Sequence, residues 1–153
     1  MYPILFSIGP LTVYSFGVMV ALGFYLGASA TVGEYKRRGH DPEQMWNFLV
    51  WVFLAGLVGS RLLSASEDIP ALLESRGRTL LSGGGFVWYG GLAGGFIAAW
   101  LLRRSYKMRF STILECTALG LPIGQAVGRI GCHIAGDGDW GVPTDLPWGV
   151  AYD

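Results

Sequence analysis

The sequence predicts an all-α, polytopic membrane protein with four transmembrane helices and with both termini outside. Hydrophobic residues make up 52% of the chain and charged residues only 14%, whereas soluble domains carry about a quarter charged residues. Four apolar segments each approach the roughly 20 residues that a helix needs to cross a bilayer. Basic residues are concentrated in two of the segments between them. We expect residues 1–153 to form a single transmembrane domain.

The first two spans are predicted at residues 11–32 and 46–63. Residues 1–33 contain no charged side chain. Small residues give the first span a face suited to close helix packing, and they are Gly17, Ala21, Gly23, Gly27, Ala28 and Gly33. The second span has Trp46 at its start and Arg61 near its far end.

The third and fourth spans are predicted at residues 83–102 and 113–134. The third contains no charged residue, and it begins with a glycine-rich run that includes Trp88 and Tyr89. The fourth has Glu115 near its start, Pro122 in its middle and Arg129 towards its end. Polar residues, glycines and prolines follow it, so residues 135–153 are predicted to form a loop.

The distribution of basic residues predicts the orientation. The first and third loops hold seven of them: Lys36, Arg37, Arg38, Arg103, Arg104, Lys107 and Arg109. The second loop has only Arg76 and Arg78. Basic loops stay on the cytoplasmic side, which places both termini outside; if the cell is bacterial, that is the periplasmic or extracellular side of its inner (plasma) membrane. The formal net charge of +0 gives no reason to expect binding to nucleic acid.

Arg129 is the strongest functional candidate, because a charge at membrane depth is costly and usually faces a protein interior or a polar cavity. In the predicted orientation, Arg61, Tyr89 and Arg129 all reach the outer surface. Arginine binds phosphate in a bidentate manner, so an anionic phospholipid is the expected ligand. The alternatives are a structural role for Arg129, and for Arg61 a side chain that extends to the headgroups.

Four segments of the chain resemble the prolipoprotein diacylglyceryl transferase family, and the first, residues 5–10 followed by 14–17, resembles the start of its first helix. GLVGSRL at residues 56–62 resembles the Gly-Arg segment of the family's second helix, and WYGGLAGG at 88–95 resembles its His-Gly-Gly segment. GRIGCHIAGDGDWG at residues 128–141 resembles the signature Gly-Arg-x-Gly-Asn-(hydrophobic)-x-Asn-Gly-Glu-x-x-Gly, and this match is the most specific.

The resemblance implies a reaction and a set of site residues. The family transfers the diacylglyceryl group of phosphatidylglycerol to the cysteine thiol of a preprolipoprotein, and glycerol phosphate leaves. By this resemblance Arg129 would hold the lipid phosphate and Arg61 would assist. The other substrate-binding candidates are Gly90, Gly91, Gly131 and Asp137. Tyr89 and His133 are the candidates for proton transfer.

Several positions depart from the family pattern. Tyr89 replaces the family histidine, Cys132 and Ala135 replace two asparagines, and Phe16 replaces a tyrosine. Tyrosine is a weak base at neutral pH, whereas histidine titrates in a useful range. His133, however, need not face the same cavity as Arg129. A non-catalytic phospholipid-binding relative is therefore an alternative. The family has three further spans, so we expect this chain to be an N-terminal fragment.

Two further interpretations have weaker support. Glycine-rich helices with intramembrane charge also occur in transporters, so a small-solute transporter is a third alternative. We expect no cofactor and no metal. Asp137 and Asp139 offer few ligands for a hard cation, and adjacent ligands such as Cys132 and His133 do not suit tetrahedral zinc.

Overall fold

The computed structural model describes residues 4–8, 11–67, 87–136, 143–145, 147 and 149. Within these residues, a two-stranded antiparallel sheet precedes four helices. The strands are β1, Ile4–Ile8, and β2, Leu11–Tyr14. The helices are α1, Ser15–Arg37; α2, Pro42–Glu67; α3, Trp88–Ser105; and α4, Phe110–Ala135.

The helices confirm the predicted class, and three of them are long and apolar enough to cross a membrane. These are α1, residues Pro42–Ser66 of α2, and α4. Helix α3 is not among them, because its 18 residues begin at Trp88 and end with Arg103, Arg104 and Ser105. Residues 83–86 of the predicted third span lie outside the described residues.

The N-terminal hairpin corrects the predicted start of the first span. Residues Leu11–Tyr14, assigned from sequence to a helix, form β2 and pair with β1. Phe6 lies opposite Val13, and Ser7 lies opposite Thr12. Both strands are rich in β-branched and aromatic residues, which favour pleated structure. A span predicted from apolarity alone cannot separate such residues from the helix that follows them.

The chain divides into two compact units. The first contains residues 1–31 and 116–153, and therefore most of α1 and α4. The second contains residues 32–115, with the end of α1, all of α2 and α3, and the start of α4.

In the first unit, α1 and α4 approach each other through glycines. A Cβ atom at Gly27 would lie 2.7 Å from the backbone oxygen of Gly120, and one at Gly23 would lie 2.9 Å from that of Gly124. The Thr31 hydroxyl donates a hydrogen bond of 3.0 Å to the carbonyl oxygen of Gly27. The predicted small-residue face is therefore partly used, since a Cβ at Gly17 would meet nothing within 4 Å.

We predict that Gly27→Ala destabilises the protein by about 1–3 kcal/mol, because the new methyl group would overlap the backbone of α4. Gly33→Ala is the matched control in the same helix. A Cβ at Gly33 meets nothing within 4 Å, so its expected effect is neutral to stabilising by up to about 1 kcal/mol, from helix propensity. Unfolding by a denaturing detergent measures both changes, and equal destabilisation would contradict the assigned interface.

The core of the second unit lies where the helices meet near their connecting turns. Met45 and Phe48 of α2 are almost fully buried, with 0% and 1% of their surface exposed. The ring of Phe48 packs edge-on against Tyr106, with centroids 5.8 Å apart. These contacts join the start of α2 to the turn that follows α3.

Candidate functional site

The residues singled out from the sequence fall into two groups. Arg61, Tyr89, Gly90 and Gly91 lie in the second unit, on α2 and α3. A second group, on α4 in the first unit, consists of Arg129, Gly131 and His133. Asp137 lies outside the described residues.

Helices α2 and α3 touch through their backbones one residue from Arg61. A Cβ atom at Gly90 would lie 2.5 Å from the backbone oxygen of Gly59 and 2.9 Å from the Cα of Ser60. The Ser60 hydroxyl donates a hydrogen bond of 2.9 Å to the carbonyl oxygen of Val87. The backbone N–H of Val87 in turn donates one of 3.4 Å to the carbonyl oxygen of Ser60. The structure thus brings the Arg61 segment and the start of α3 together.

The two glycines at the start of α3 have different surroundings. Gly90 is buried and faces the α2 backbone, so close helix packing is a sufficient reason for glycine there. A Cβ atom at Gly91 would only reach ordinary contact, 3.5 Å from the backbone oxygen of Gly56. Gly94 also packs against α2, as its small size predicts. A Cβ atom added at Gly94 would lie 2.7 Å from the backbone oxygen of Ala55.

Trp88 and Tyr89 project away from the α2–α3 contact. Their side chains are 61% and 73% exposed, and their rings meet edge-to-face with centroids 5.3 Å apart. Arg61 is half-buried on the neighbouring helix. Tyr89 and Arg61 therefore lie on adjoining helix segments. Tyr89 is exposed, whereas Arg61 is half-buried.

In the first unit, Arg129 and His133 lie on one face of α4. The helix is continuous to Ala135, and residues four apart lie above one another. Both side chains are exposed. Because α4 extends past both residues without a break, Arg129 and His133 share this face of the helix.

Gly131 faces the opposite way and packs on α1. A Cβ atom there would lie 2.6 Å from the Cβ of Met19 and 3.8 Å from a ring carbon of Phe16. Residues 129 and 131 are about 200° apart around a helix of 3.6 residues per turn. The packing of Gly131 on α1 therefore directs Arg129 and His133 away from α1.

Glu115, at the start of α4, forms an ion pair with Arg38 in the second unit. Arg38 also pairs with Glu34 at 3.0 Å. This carboxylate therefore neutralises a basic residue at the end of α1.

Ser60 is a positioning residue that sequence reasoning missed. It is 6% exposed, and its hydroxyl connects α2 to the residue that precedes α3. The sequence feature that could have indicated Ser60 is a hydroxyl residue next to Gly59 in an apolar helix. Such residues form hydrogen bonds between membrane helices.

We predict that Ser60→Ala lowers the free energy of unfolding by about 0.5–1.5 kcal/mol, the usual net value of one hydrogen bond. The matched control is Ser66→Ala in the same helix, because the Ser66 hydroxyl bonds only locally, to the Leu63 carbonyl oxygen at 2.7 Å, and is exposed. Thermal unfolding in detergent compares the two. A larger loss for Ser66→Ala would contradict the role given to Ser60.

Comparison with known proteins gives one consistent result. The family profile described as prolipoprotein diacylglyceryl transferase matches residues 3–153. The chain is similar to the phosphatidylglycerol–prolipoprotein diacylglyceryl transferase of Clostridium tetani (strain Massachusetts / E88), at 31% identity over 99% of this chain and 61% of the relative. The enzyme of the same name from Legionella pneumophila (strain Lens) is 35% identical over 98% of this chain and 60% of the relative. The enzyme of the same name from Rhizobium leguminosarum bv. trifolii (strain WSM2304) is 33% identical over 98% of this chain and 56% of the relative. The chain thus spans about six-tenths of the length of these relatives.

Proposed function

Because the chain belongs to the prolipoprotein diacylglyceryl transferase family, we propose that the protein transfers the diacylglyceryl group of phosphatidylglycerol to the cysteine thiol of a preprolipoprotein. The observation that carries the proposal is the match over residues 3–153, which includes the signature around Arg129. We further propose that α3 is part of a fourth span, that both termini lie outside, and that the protein resides in the inner membrane of a bacterium.

The proposed reaction exchanges one bond at the lipid glyceryl carbon. The thiol loses its proton to a base, and the resulting thiolate, which is the nucleophile, attacks the carbon that carries the phosphate ester. A carbon–sulfur bond forms, the carbon–oxygen bond breaks, and glycerol phosphate departs with the bonding electron pair. The protein must therefore bind a phosphate that gains negative charge and must accept one proton.

Arg129 is proposed to hold the phosphate, and Arg61 to assist it. A guanidinium group offers parallel N–H donors that match phosphate geometry. His133 is proposed to accept the proton, and it is supported by its position on the same face of α4 as Arg129. Tyr89 is the second candidate for proton transfer, supported by its exposure at the start of α3. Gly90, Gly91, Gly131 and Asp137 remain proposed members of the substrate site.

The proposal is tested by transfer from phosphatidylglycerol to a peptide that carries a lipobox cysteine. The protein encoded by the complete reading frame is purified, and the lipid is labelled separately in its acyl chains and in its terminal glycerol. We expect the acyl label to appear on the peptide and the glycerol label to leave as glycerol phosphate. Both labels on the peptide, or neither, would contradict the reaction.

The second candidate is a relative that binds phospholipid without turnover. It is favoured by Tyr89, Cys132 and Phe16, which stand where the family pattern has histidine, asparagine and tyrosine. Complementation of cells that lack their own transferase separates the two functions. Rescue by the wild-type gene would exclude the non-catalytic function, whereas lipid binding without rescue would support it.

A further inference from the structure

A pocket of about 300 Å³ lies in the second unit, between the turn that joins α1 to α2 and the turn that joins α3 to α4. None of its lining residues is among those assigned to transfer. Its lining includes Tyr35, His40, Gln44, Lys107, Arg109 and Thr112. Among the described residues that line it, none is acidic and three can carry positive charge.

Hydrogen bonds hold the two turns together beneath the pocket. The Tyr35 hydroxyl donates to the Gln44 side-chain oxygen at 3.0 Å, and the Gln44 amide nitrogen donates to the Tyr106 carbonyl oxygen at 3.0 Å. The ring of Tyr35, which is 3% exposed, stacks on His40 with centroids 4.6 Å apart. One side of the pocket is therefore formed by the buried Tyr35 ring and the half-buried, hydrogen-bonded Gln44 side chain.

The α3–α4 turn adopts a costly conformation at one of the pocket's cationic residues. Lys107 has a φ of 52°, a left-handed conformation that glycine adopts far more readily than lysine. The turn is held by the Met108 N–H, which donates to the Arg103 carbonyl oxygen at 2.8 Å. Met108 itself is buried. A lysine at this position gives up backbone stability and adds a charge at the pocket.

The charge balance favours an anion. Arg109 and Thr112 lie at the start of the 26-residue helix α4, where free backbone N–H groups and the helix dipole attract negative charge. Three of the four acidic residues that flank the lining residues along the chain have partners of their own, and the fourth, Glu43, is exposed. Glu34 pairs with Arg37 and Arg38, Glu115 pairs with Arg38, and the Asp41 carboxylate accepts a bond from the Glu43 N–H at the start of α2.

We propose that this pocket binds a phosphate group, supplied by the headgroup of an anionic phospholipid. The helices that lead to the pocket include the three that are apolar enough to cross a membrane, so the pocket lies at a helix end where headgroups are found. In the orientation that the basic loops favour, this is the cytoplasmic leaflet, opposite the proposed transfer site. The binding site does not depend on the proposed transferase function.

The test compares two double variants that remove the same charge. Lys107→Gln with Arg109→Gln alters the pocket, whereas Lys36→Gln with Arg37→Gln removes two basic residues outside the pocket lining, and the Arg37 side chain is 81% exposed. Each protein is placed in phosphatidylcholine nanodiscs with and without phosphatidylglycerol. Amide hydrogen exchange is then followed for the peptide that covers residues 104–113.

We expect phosphatidylglycerol to slow exchange at this turn by about tenfold, which is about 1.4 kcal/mol, in the wild type and in the control double variant. The pocket double variant is expected to lose the effect. Loss in both doubles, or no slowing in the wild type, would overturn the proposal. Inorganic phosphate with phosphatidylcholine alone distinguishes the source: slowing there would support phosphate binding and assign it to a soluble ion.

Lys107→Gly is the control that separates loss of the ammonium group from misfolding of the turn. Glycine fits the left-handed backbone at this position, so this variant is expected to be at least as stable as the wild type. It should still lose most of the lipid-dependent slowing, because it lacks the ammonium group. Full retention of the slowing would contradict the proposal. Because the readout is confined to residues 104–113, failure of transferase activity would not affect it.

Discussion

Replacing Arg129 by alanine is expected to lower the transfer rate from phosphatidylglycerol by about two to three orders of magnitude. Removal of a single donor that stabilises developing charge costs about 10²–10³ in rate, and the departing phosphate gains negative charge in the proposed reaction. The side chain is exposed on α4, so its loss leaves no core cavity. The label-transfer assay measures the effect, with thermal unfolding as a check on folding.

Arg104→Ala is the control for this substitution. Arg104 is an exposed arginine on α3 whose guanidinium group lies 5.2 Å from the centre of the Trp100 ring, at the opposite end of that helix from Tyr89. We expect it to change transfer less than about threefold, in keeping with the modest value of an exposed cation–π contact. Equal rates for the wild type and Arg129→Ala would remove Arg129 from the proposed mechanism.

Gly90→Ala is expected to destabilise the protein by about 1–3 kcal/mol, whereas Gly91→Ala is expected to be neutral or slightly stabilising. The added methyl group at position 90 would lie 2.5 Å from the Gly59 oxygen and force α2 and α3 apart, a typical overpacking cost. At position 91 the nearest atom is 3.5 Å away, and alanine favours the helix by about 1 kcal/mol. Unfolding in a denaturing detergent measures both.

The same pair separates helix packing from ligand contact. If Gly91 lies against the substrate, Gly91→Ala should reduce transfer without a loss of stability. A Gly90→Ala protein as stable as the wild type would contradict the close α2–α3 contact described here. A fall in transfer for Gly90→Ala is informative only when its stability is known, because Arg61 lies next to the same contact.

Much of the fold could be predicted because a bilayer acts on each segment separately. A span needs enough apolar length and internally satisfied backbone hydrogen bonds, and both properties belong to the segment itself. α1, α2 and α4 were predicted for this reason. The hairpin at Leu11–Tyr14 was not, since pairing with Ile4–Ile8 depends on a second segment.

The candidate site residues could be chosen from the sequence by their chemistry, whereas their packing could not be. Arg129 is conspicuous because a charge in an apolar segment needs an explanation. The packing of Gly131 on α1, which directs Arg129 and His133 away from that helix, became clear only from the structure, as did the bond from Ser60 to Val87. The pocket between the two turns joins residues about 70 positions apart, such as Tyr35 and Lys107, so no local pattern indicates it.

By itself the sequence determined that this is a helical membrane protein, which segments are apolar, and which arginine is out of place in them. Only the tertiary structure decided which glycines are contact surfaces: Gly90 meets the backbone of α2, whereas Gly33 meets nothing within 4 Å. The physical reason is that hydrophobicity is a property of each residue. A steric contact is a property of two helices whose relative rotation no single segment encodes.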